Sequence, residues 1–201
     1  MIHNIPISIL LIISSPIYSQ VGIGSWQSHN PMSSFTWIGE IEHKIYAANK
    51  FGLLSYDRQD ESVESLSKTN ALSGTSISSF KCSDHKSICL VGYSNGNLDF
   101  ITGDGDIINQ PAIMNSQTVG DKSINDIWFQ GNHIWLGTGI GLLKLDAFNF
   151  NVLEYTPILF QGENQAINTL FVDGNYLTFL TNKYLLQTKI SNLFVSPSFI
   201  N

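Results

Sequence analysis

Charge is scarce in this chain. Only 13% of its 201 residues are Asp, Glu, Lys or Arg, and 16 acidic residues against 10 basic ones leave a formal net charge of −6. Lys and Arg nowhere form a run, and the first of them is Lys44. Nucleic acid therefore has no basic footprint to land on. Cysteine is scarcer still, with Cys82 and Cys89 alone. Two cysteines with only His85 between them fall short of the four ligands that close a structural zinc site. Helical periodicity is missing, since no stretch repeats its apolar residues at helical spacing. Beyond the N-terminus no run is apolar enough to cross a membrane. What remains, with 43% hydrophobic residues, is enough to bury a core in one domain of ordinary size.

The N-terminus, "MIHNIPISILLIISSPIYSQ", is uncharged and apolar and ends in small and polar residues. Residues 1–20 read as a secretory signal cleaved near Ser19 or Gln20, with His3 alone standing in for the usual positive start. The alternatives are an uncleaved anchor, for which Ile5 to Ile13 is too short, and a buried first strand. No Cys follows the run to carry a lipid. The mature chain, residues 21–201, is expected to be exported without a transmembrane segment.

Cys82 and Cys89 flank "SDHKSI". If His85 and Lys86 form the tip of a two-residue hairpin, the sulfurs sit opposite each other on neighbouring strands, at a separation a disulfide accepts. A disulfide and a pair of small buried residues are both compatible with that placement.

The chain repeats itself. "IYAANKFGLLSYD" (45–57), "ICLVGYSNGNLDFI" (88–101), "IWLGTGIGLLKLD" (134–146) and "LTFLTNKYLLQTK" (177–189) fall into register, each an alternating strand, a turn and a second strand. The turn-end residues Gly52, Gly96, Gly141 and Tyr184 are spaced by 44, 45 and 43 residues. Another short apolar segment lies upstream of each hairpin, starting at Phe35, Ile77, Ile124 and Ile167. A looser strand such as "ESVESL" or "NVLEYT" follows it. Such a period, with several strands per unit, predicts an all-β fold of antiparallel β-propeller blades, with units near 33–75, 76–121, 122–164 and 165–201. Gly137, Gly139 and Gly141 then belong to a blade hairpin. A phosphate loop would need a following helix, whereas "LLKLD" continues as a strand. Gly139 and Gly141 are expected to supply positive φ or close backbone approach at the turn.

The same residues carry a resemblance. "IWLGTGIGLLKLD" is similar to the W-x-G-T-x-x-G-L-x-x-x-D core of the propeller repeats in two-component regulators. More specifically, "IGSWQSH", "KIYAANKFGLLSYD", "LSKTNALSGTSISSF", "LVGYSNGNLDFI" and "VGDKSINDIWFQGNHIWLGTGIGLLKLD" resemble, in that order, the N-terminal propeller of the PorZ family, accessory proteins of the type IX secretion system of Bacteroidetes. The likeness runs from about Ile23 to Asp146 and more weakly to Lys189, and "GDKSINDI" is its most distinctive piece. Ala71 stands where the family has glycine, and the fourth unit lacks the glycine before its Leu-Leu. The resemblance implies a non-catalytic binding and assembly module in the periplasm or at the outer-membrane surface. Its partners would be proteins of the secretion and attachment complex, with lipopolysaccharide as a further candidate ligand and no cofactor. Family members are longer, so this chain would be an incomplete ring of about four units where about seven need roughly 300 residues. Its open blade faces would favour self-association or closure against another chain. Two other functions stay open: the extracytoplasmic sensor of a two-component regulator, and a propeller lyase or glycosidase.

Catalysis would need converging groups. The candidate carboxylates are Asp57, Asp99, Asp126, Asp146 and Asp173, and the histidines His29, His43, His85 and His133. Asp57 and Asp146 each lie five residues after the turn glycine, and such recurrence suggests a strand-end carboxylate capping a turn. "GDGD", Gly103 to Asp106, reads as a hairpin turn and lacks the other oxygen ligands of a calcium loop. In "GDKSIND", Asp121, Lys122, Asn125 and Asp126 form a candidate partner-docking loop, or else a local ion pair with side-chain bonds to loop backbone. Of Trp26, Trp37, Trp128 and Trp135, most are expected between blades, with sugar stacking as the alternative.

Overall fold

The computed structural model describes residues 33–193; the expected signal segment, residues 1–20, and Trp26 and His29 lie outside them. The described residues are almost entirely antiparallel sheet, arranged as successive units of one chain direction. Unit 1 is β1 (Trp37–Ile41), β2 (Lys44–Asn49), β3 (Gly52–Asp57) and β4 (Val63–Ser67). Unit 2 is β5 (Ile77–Ser83), β6 (Ile88–Tyr93), β7 (Leu98–Thr102) and β8 (Ile107–Gln110), followed by a single helical turn, α1 (Ala112–Asn115). Unit 3 is β9 (Ile124–Gln130), β10 (His133–Thr138), β11 (Gly141–Asp146) and β12 (Val152–Thr156). A small hairpin, β13 (Leu159–Phe160) and β14 (Glu163–Asn164), precedes unit 4, which is β15 (Thr169–Asp173), β16 (Tyr176–Leu180) and β17 (Leu185–Lys189).

Each sheet is a simple meander, so its order in space is its order in sequence. The first strands β1, β5, β9 and β15 lie side by side from unit to unit. Sheets that touch along their first strands fan outward from a common centre, which is propeller geometry.

The alternation of side chains explains how the fan holds together. In β6, Ile88 and Leu90 face unit 3, in one cluster with Ile124, Ile127, Ile134 and Leu136. The intervening Cys89 and Val91 face unit 1, in a second cluster with Tyr46, Ala48 and Leu53. Every residue of β6 is buried in consequence, and a strand covered on both faces reads as the unbroken apolar run "ICLV". β10 behaves likewise, with Ile134 and Leu136 toward unit 2 and Trp135 toward Ile167 and Leu170 of unit 4.

The junctions follow a size rule. In units 1 to 3 the fifth of the six residues of the second strand is small: Ala48, Gly92 and Gly137. Against it packs the isoleucine that opens the next unit. A Cβ on Gly92 would lie 2.6 Å from Cγ2 of Ile124, and one on Gly137 would lie 2.7 Å from Cγ2 of Ile167. Both are closer than a Cβ normally approaches carbon, so at these two junctions the isoleucine seats directly on a glycine, while at the first junction Ala48 keeps its Cβ in one cluster with Ile77.

One local expectation needs correcting. The tip between Cys82 and Cys89 is not a two-residue hairpin: Ser83 pairs with Ile88, and Asp84–Lys86 form a 3₁₀ turn closed by Ser87 at φ 48°. Of the two glycines assigned to the β10–β11 turn, only Gly141 has positive φ (131°), and a Cβ there would also sit 2.6 Å from the Thr156 carbonyl. Gly139 serves close approach alone, against Asp121.

Candidate functional site

The first strands make the inner wall of the fan, and their registers place Gly39, Lys81, Trp128 and Phe171 at equivalent positions. The last three form a row. The Lys81 ammonium sits 4.4 Å from the centre of the Trp128 ring, and Trp128 meets Phe171 edge to face at 4.9 Å. Beside it Lys81, Cys82, Ser83, Trp128 and Phe129 line a shallow cleft of about 220 Å³. Cys82 and Cys89 are cross-strand partners there with their sulfurs joined. The row and the cleft together offer an aromatic face, a cation and the Ser83 hydroxyl, which suits contact with a ligand or partner; cation–π pairs of this kind contribute about 0.5–1 kcal/mol when exposed. The sequence flagged Trp128 but not Lys81 or Phe171, and the signal for them was present as the same place in successive repeats.

The candidate docking loop is stitched into the fold. Asp121 accepts from the Ser123 amide (2.9 Å) and hydroxyl (3.0 Å). Lys122 makes no ion pair with it; its ammonium donates to the carbonyls of Met114 (3.0 Å) and Ser116 (2.7 Å), securing the turn around α1. Asn125 donates to the Ile167 carbonyl at 2.9 Å. Asp126 accepts from the Thr169 hydroxyl (2.6 Å) and the Leu170 amide (2.8 Å), so both residues hold unit 4 against unit 3. Ser78, in the same place as Asn125 one unit earlier, donates to the Ile124 carbonyl at 2.7 Å. What the loop leaves open is its N-terminal edge, where Val119 is 93% exposed next to exposed Gly120 and Asp121.

Asp57, Asp99, Asp126 and Asp146 are each engaged within or between neighbouring units. Asp57 ends β3, accepting from the Gln59 amide and lying 3.2 Å from His43. Asp146 ends β11 in the same way, accepting from the amides of Phe148 (2.8 Å) and Asn149 (3.0 Å). Those two amides hold its carboxyl below the ordinary carboxylate range. Opposite it, burial and then the Lys144 charge hold His133 below the usual imidazole value. Asp126 and Asp146 sit at opposite ends of the unit 3 sheet, and Asp173 ends β15. "GDGD" is a turn between β7 and β8, with Gly105 at φ 90° and Thr102 and Asp106 bonded across it. Among the described residues no three His, Cys, Asp or Glu side chains gather to hold a metal. Of the tryptophans described, Trp135 is buried against unit 4, with Trp128 packed on the same cluster, and Trp37 packs on the unit 1–2 cluster.

Asp99 is different. It is fully buried in β7, with Tyr93 donating at 2.5 Å, the Ser73 amide at 2.8 Å and Asn109 at 2.9 Å, while the Ser73 hydroxyl also points to it. Burial first, then the hydrogen bond and charge of Asp99, drive the Tyr93 phenol far above its ordinary pKa. Ser73 belongs to "NALSG" in the connection from unit 1, so this cluster fastens that connection to unit 2. Nothing in the spacing of Ser73, Tyr93 and Asp99 announced it.

Comparison with known proteins places this arrangement. At the level of the fold, the chain is similar to the structure of PorZ from Porphyromonas gingivalis, described as an essential bacterial surface component of the type IX secretion system. That match has a TM-score of 0.65 at 23% identity and covers 80% of this chain but 21% of that one. It is also similar to extracellular domains from B. thetaiotaomicron described as belonging to a putative hybrid two-component system (TM-score 0.58, 19% identity, 75% and 20% covered) and a putative one-component system (0.60, 20%, 78% and 21%). The chain thus spans about a fifth of the length of each. No curated protein matches the sequence. No helix among the described residues is long and apolar enough to cross a membrane. The family model for the N-terminal β-propeller domain of PorZ, of the type IX secretion system, matches residues 45–195, and the chain belongs to that family.

Proposed function

We propose that this chain is a non-catalytic binding and assembly module of the type IX secretion system, exported to the periplasm or the outer-membrane surface. Membership of the PorZ propeller family over residues 45–195 carries the reading. The engagement of Asp57, Asp99, Asp126 and Asp146 in turn caps and inter-unit bonds supports binding over glycosidase or lyase chemistry, which needs carboxylates facing a substrate. Its partners are proteins of the secretion and attachment complex, with lipopolysaccharide as a second ligand. The surfaces offered to them are the Lys81–Trp128–Phe171 row and the Val119–Asp121 edge. The joined Cys82 and Cys89 suit an oxidising, extracytoplasmic compartment.

The test is deletion of the coding region in its own bacterium, together with purification of the tagged native protein. Loss of surface attachment of type IX cargo and co-purification of attachment-complex components are expected. Intact cargo attachment without such co-purification would sink the proposal. Likeness to the two-component extracellular domains favours a sensor as the second reading. A membrane span and kinase encoded downstream of Asn201 would select it.

A further inference from the structure

Unit 2 departs from its neighbours at one end. In units 1, 3 and 4 two residues join the first strand to the second: residues 42–43, 131–132 and 174–175. In unit 2 four do, residues 84–87, and the chain's one cystine crosses the strands one residue pair below them. The longer tip reaches both adjoining units. The Asp84 carboxylate accepts from the Glu42 amide of unit 1 at 3.3 Å. On the other side the Lys86 ammonium donates to the Asn132 side chain of unit 3 at 2.8 Å and lies 4.5 Å from the centre of the Phe148 ring. The tip therefore spans three units, and the cystine closes its base.

The two cysteines are unequally placed. Cys89 is 0% exposed within the unit 1–2 cluster, whereas Cys82 is half-buried and lines the cleft with Lys81, Ser83, Trp128 and Phe129. Cys82 also rests on β1: a Cβ on Gly39 would lie 2.9 Å from its Cβ and nearer still to its sulfur. Two thiols need more room than a bonded pair, and neither the sealed surroundings of Cys89 nor the backbone at Gly39 leaves it. Parting the sulfurs therefore displaces the end of β5 and the tip it carries. We propose that the Cys82–Cys89 bond is a redox-operated clamp: closed, it holds the tip across units 1 and 3 and the Lys81 ammonium over Trp128, and reduction by a dithiol releases both. The exchange starts at Cys82, the sulfur on the cleft side. A thiolate of the dithiol attacks it, the bond to Cys89 breaks, and Cys89 leaves as a thiolate that takes up a proton. The second thiol of the reductant, having lost its proton, then displaces Cys82, which is protonated in turn. Two electrons thus pass to the two cysteines, and the dithiol becomes a disulfide. The clamp works in the same way whichever partner the row takes.

Dithiothreitol is the probe, applied to the folded full chain. Alkylation with mass spectrometry reads the cystine, circular dichroism the fold, and hydrogen exchange the amides of Glu42 and Ser87, both of which bond to Asp84. The cystine should open while the chain stays folded. Glu42 and Ser87 should then exchange about five- to tenfold faster, as loss of a hydrogen bond implies, while the amides of β16 in unit 4 keep their rates. Acrylamide should quench Trp128 more strongly, read as the difference from a Trp128→Phe chain. Cys82→Ser with Cys89→Ser should reproduce the reduced chain without reagent. The clamp is refuted if the cystine opens only as the whole chain unfolds, or if exchange accelerates everywhere, since the bond would then be a plain structural staple. It is refuted equally if the reduced chain, or a folded double variant, keeps the protection of the oxidised one.

Discussion

The Asp99 cluster shows how single residues set the stability of the fan. A carboxylate removed from water without a cation is tolerable only when donors surround it, and Tyr93, Ser73 and Asn109 do so. Tyr93→Phe deletes one donor and should lower unfolding stability by about 1.5–3 kcal/mol, as hydrogen bonds to charged groups do. Urea denaturation checks this, and a change below the error of extrapolation would mean that water replaces the phenol. His133 and Asp146 contribute to the pH dependence. Because the folded chain holds the imidazole below its ordinary value, it binds fewer protons than the unfolded chain around that value. Its contribution is therefore present above the unfolded pKa of about 6.5 and lost as pH falls through it. Asp146 acts in a lower window, its contribution present above the ordinary carboxylate pKa of about 3.9 and lost as pH falls below it. The melting temperature should thus drop between about pH 7 and pH 5.5, and His133→Asn should flatten that drop while leaving the fall below about pH 4. An unchanged slope in the variant would assign the first transition elsewhere.

Among elements, the second strand of each unit does most to position its neighbours. It presents alternate residues to the units before and after it, and its one small residue fixes how deeply the next first strand enters. Gly137→Ala should destabilise by about 1–3 kcal/mol through overpacking. Ile167→Ala should cost about 2–5 kcal/mol through the cavity it leaves. Combined, the two should cost clearly less than their sum, because the new methyl occupies space the isoleucine vacated. A double-mutant cycle measured by chemical unfolding decides; strict additivity would mean that Gly137 is required by the backbone and not by Ile167. The fourth unit illustrates the opposite limit. It has Leu180 in place of the small residue and Tyr184 in place of the turn glycine, whose ring packs 4.6 Å from Phe160 of the extra hairpin. The sequence already marked this unit as the divergent one through its missing glycine.

For the molecule as a whole, the bonds that assemble it span one repeat. Asn125 to Ile167, Ser78 to Ile124 and Gln130 to Gly174 are separated by 42, 46 and 44 residues, close to the spacing of the turn-end residues. That is why the period was legible before the contacts were. Alternating strands, turn glycines and a recurrence in the low forties sufficed for the all-β class, the hairpins, the propeller arrangement and the PorZ likeness, since these depend on local residue type and its repetition. Alternation also separates the two faces of a strand. It does not say which residue of the next unit meets each face, because that depends on how far one sheet is rotated and inserted against another. Hence Lys81, Trp128 and Phe171 became a row, Asn125 and Asp126 became inter-unit ties, and Ser73, Tyr93 and Asp99 became a buried cluster only once the sheets were packed. The sequence by itself determined the unit and its repetition, through steric and hydrogen-bonding preferences acting within about a dozen residues. The tertiary structure alone decided which polar groups are consumed in holding units together and which faces stay open, because those outcomes depend on side-chain volumes meeting across a junction.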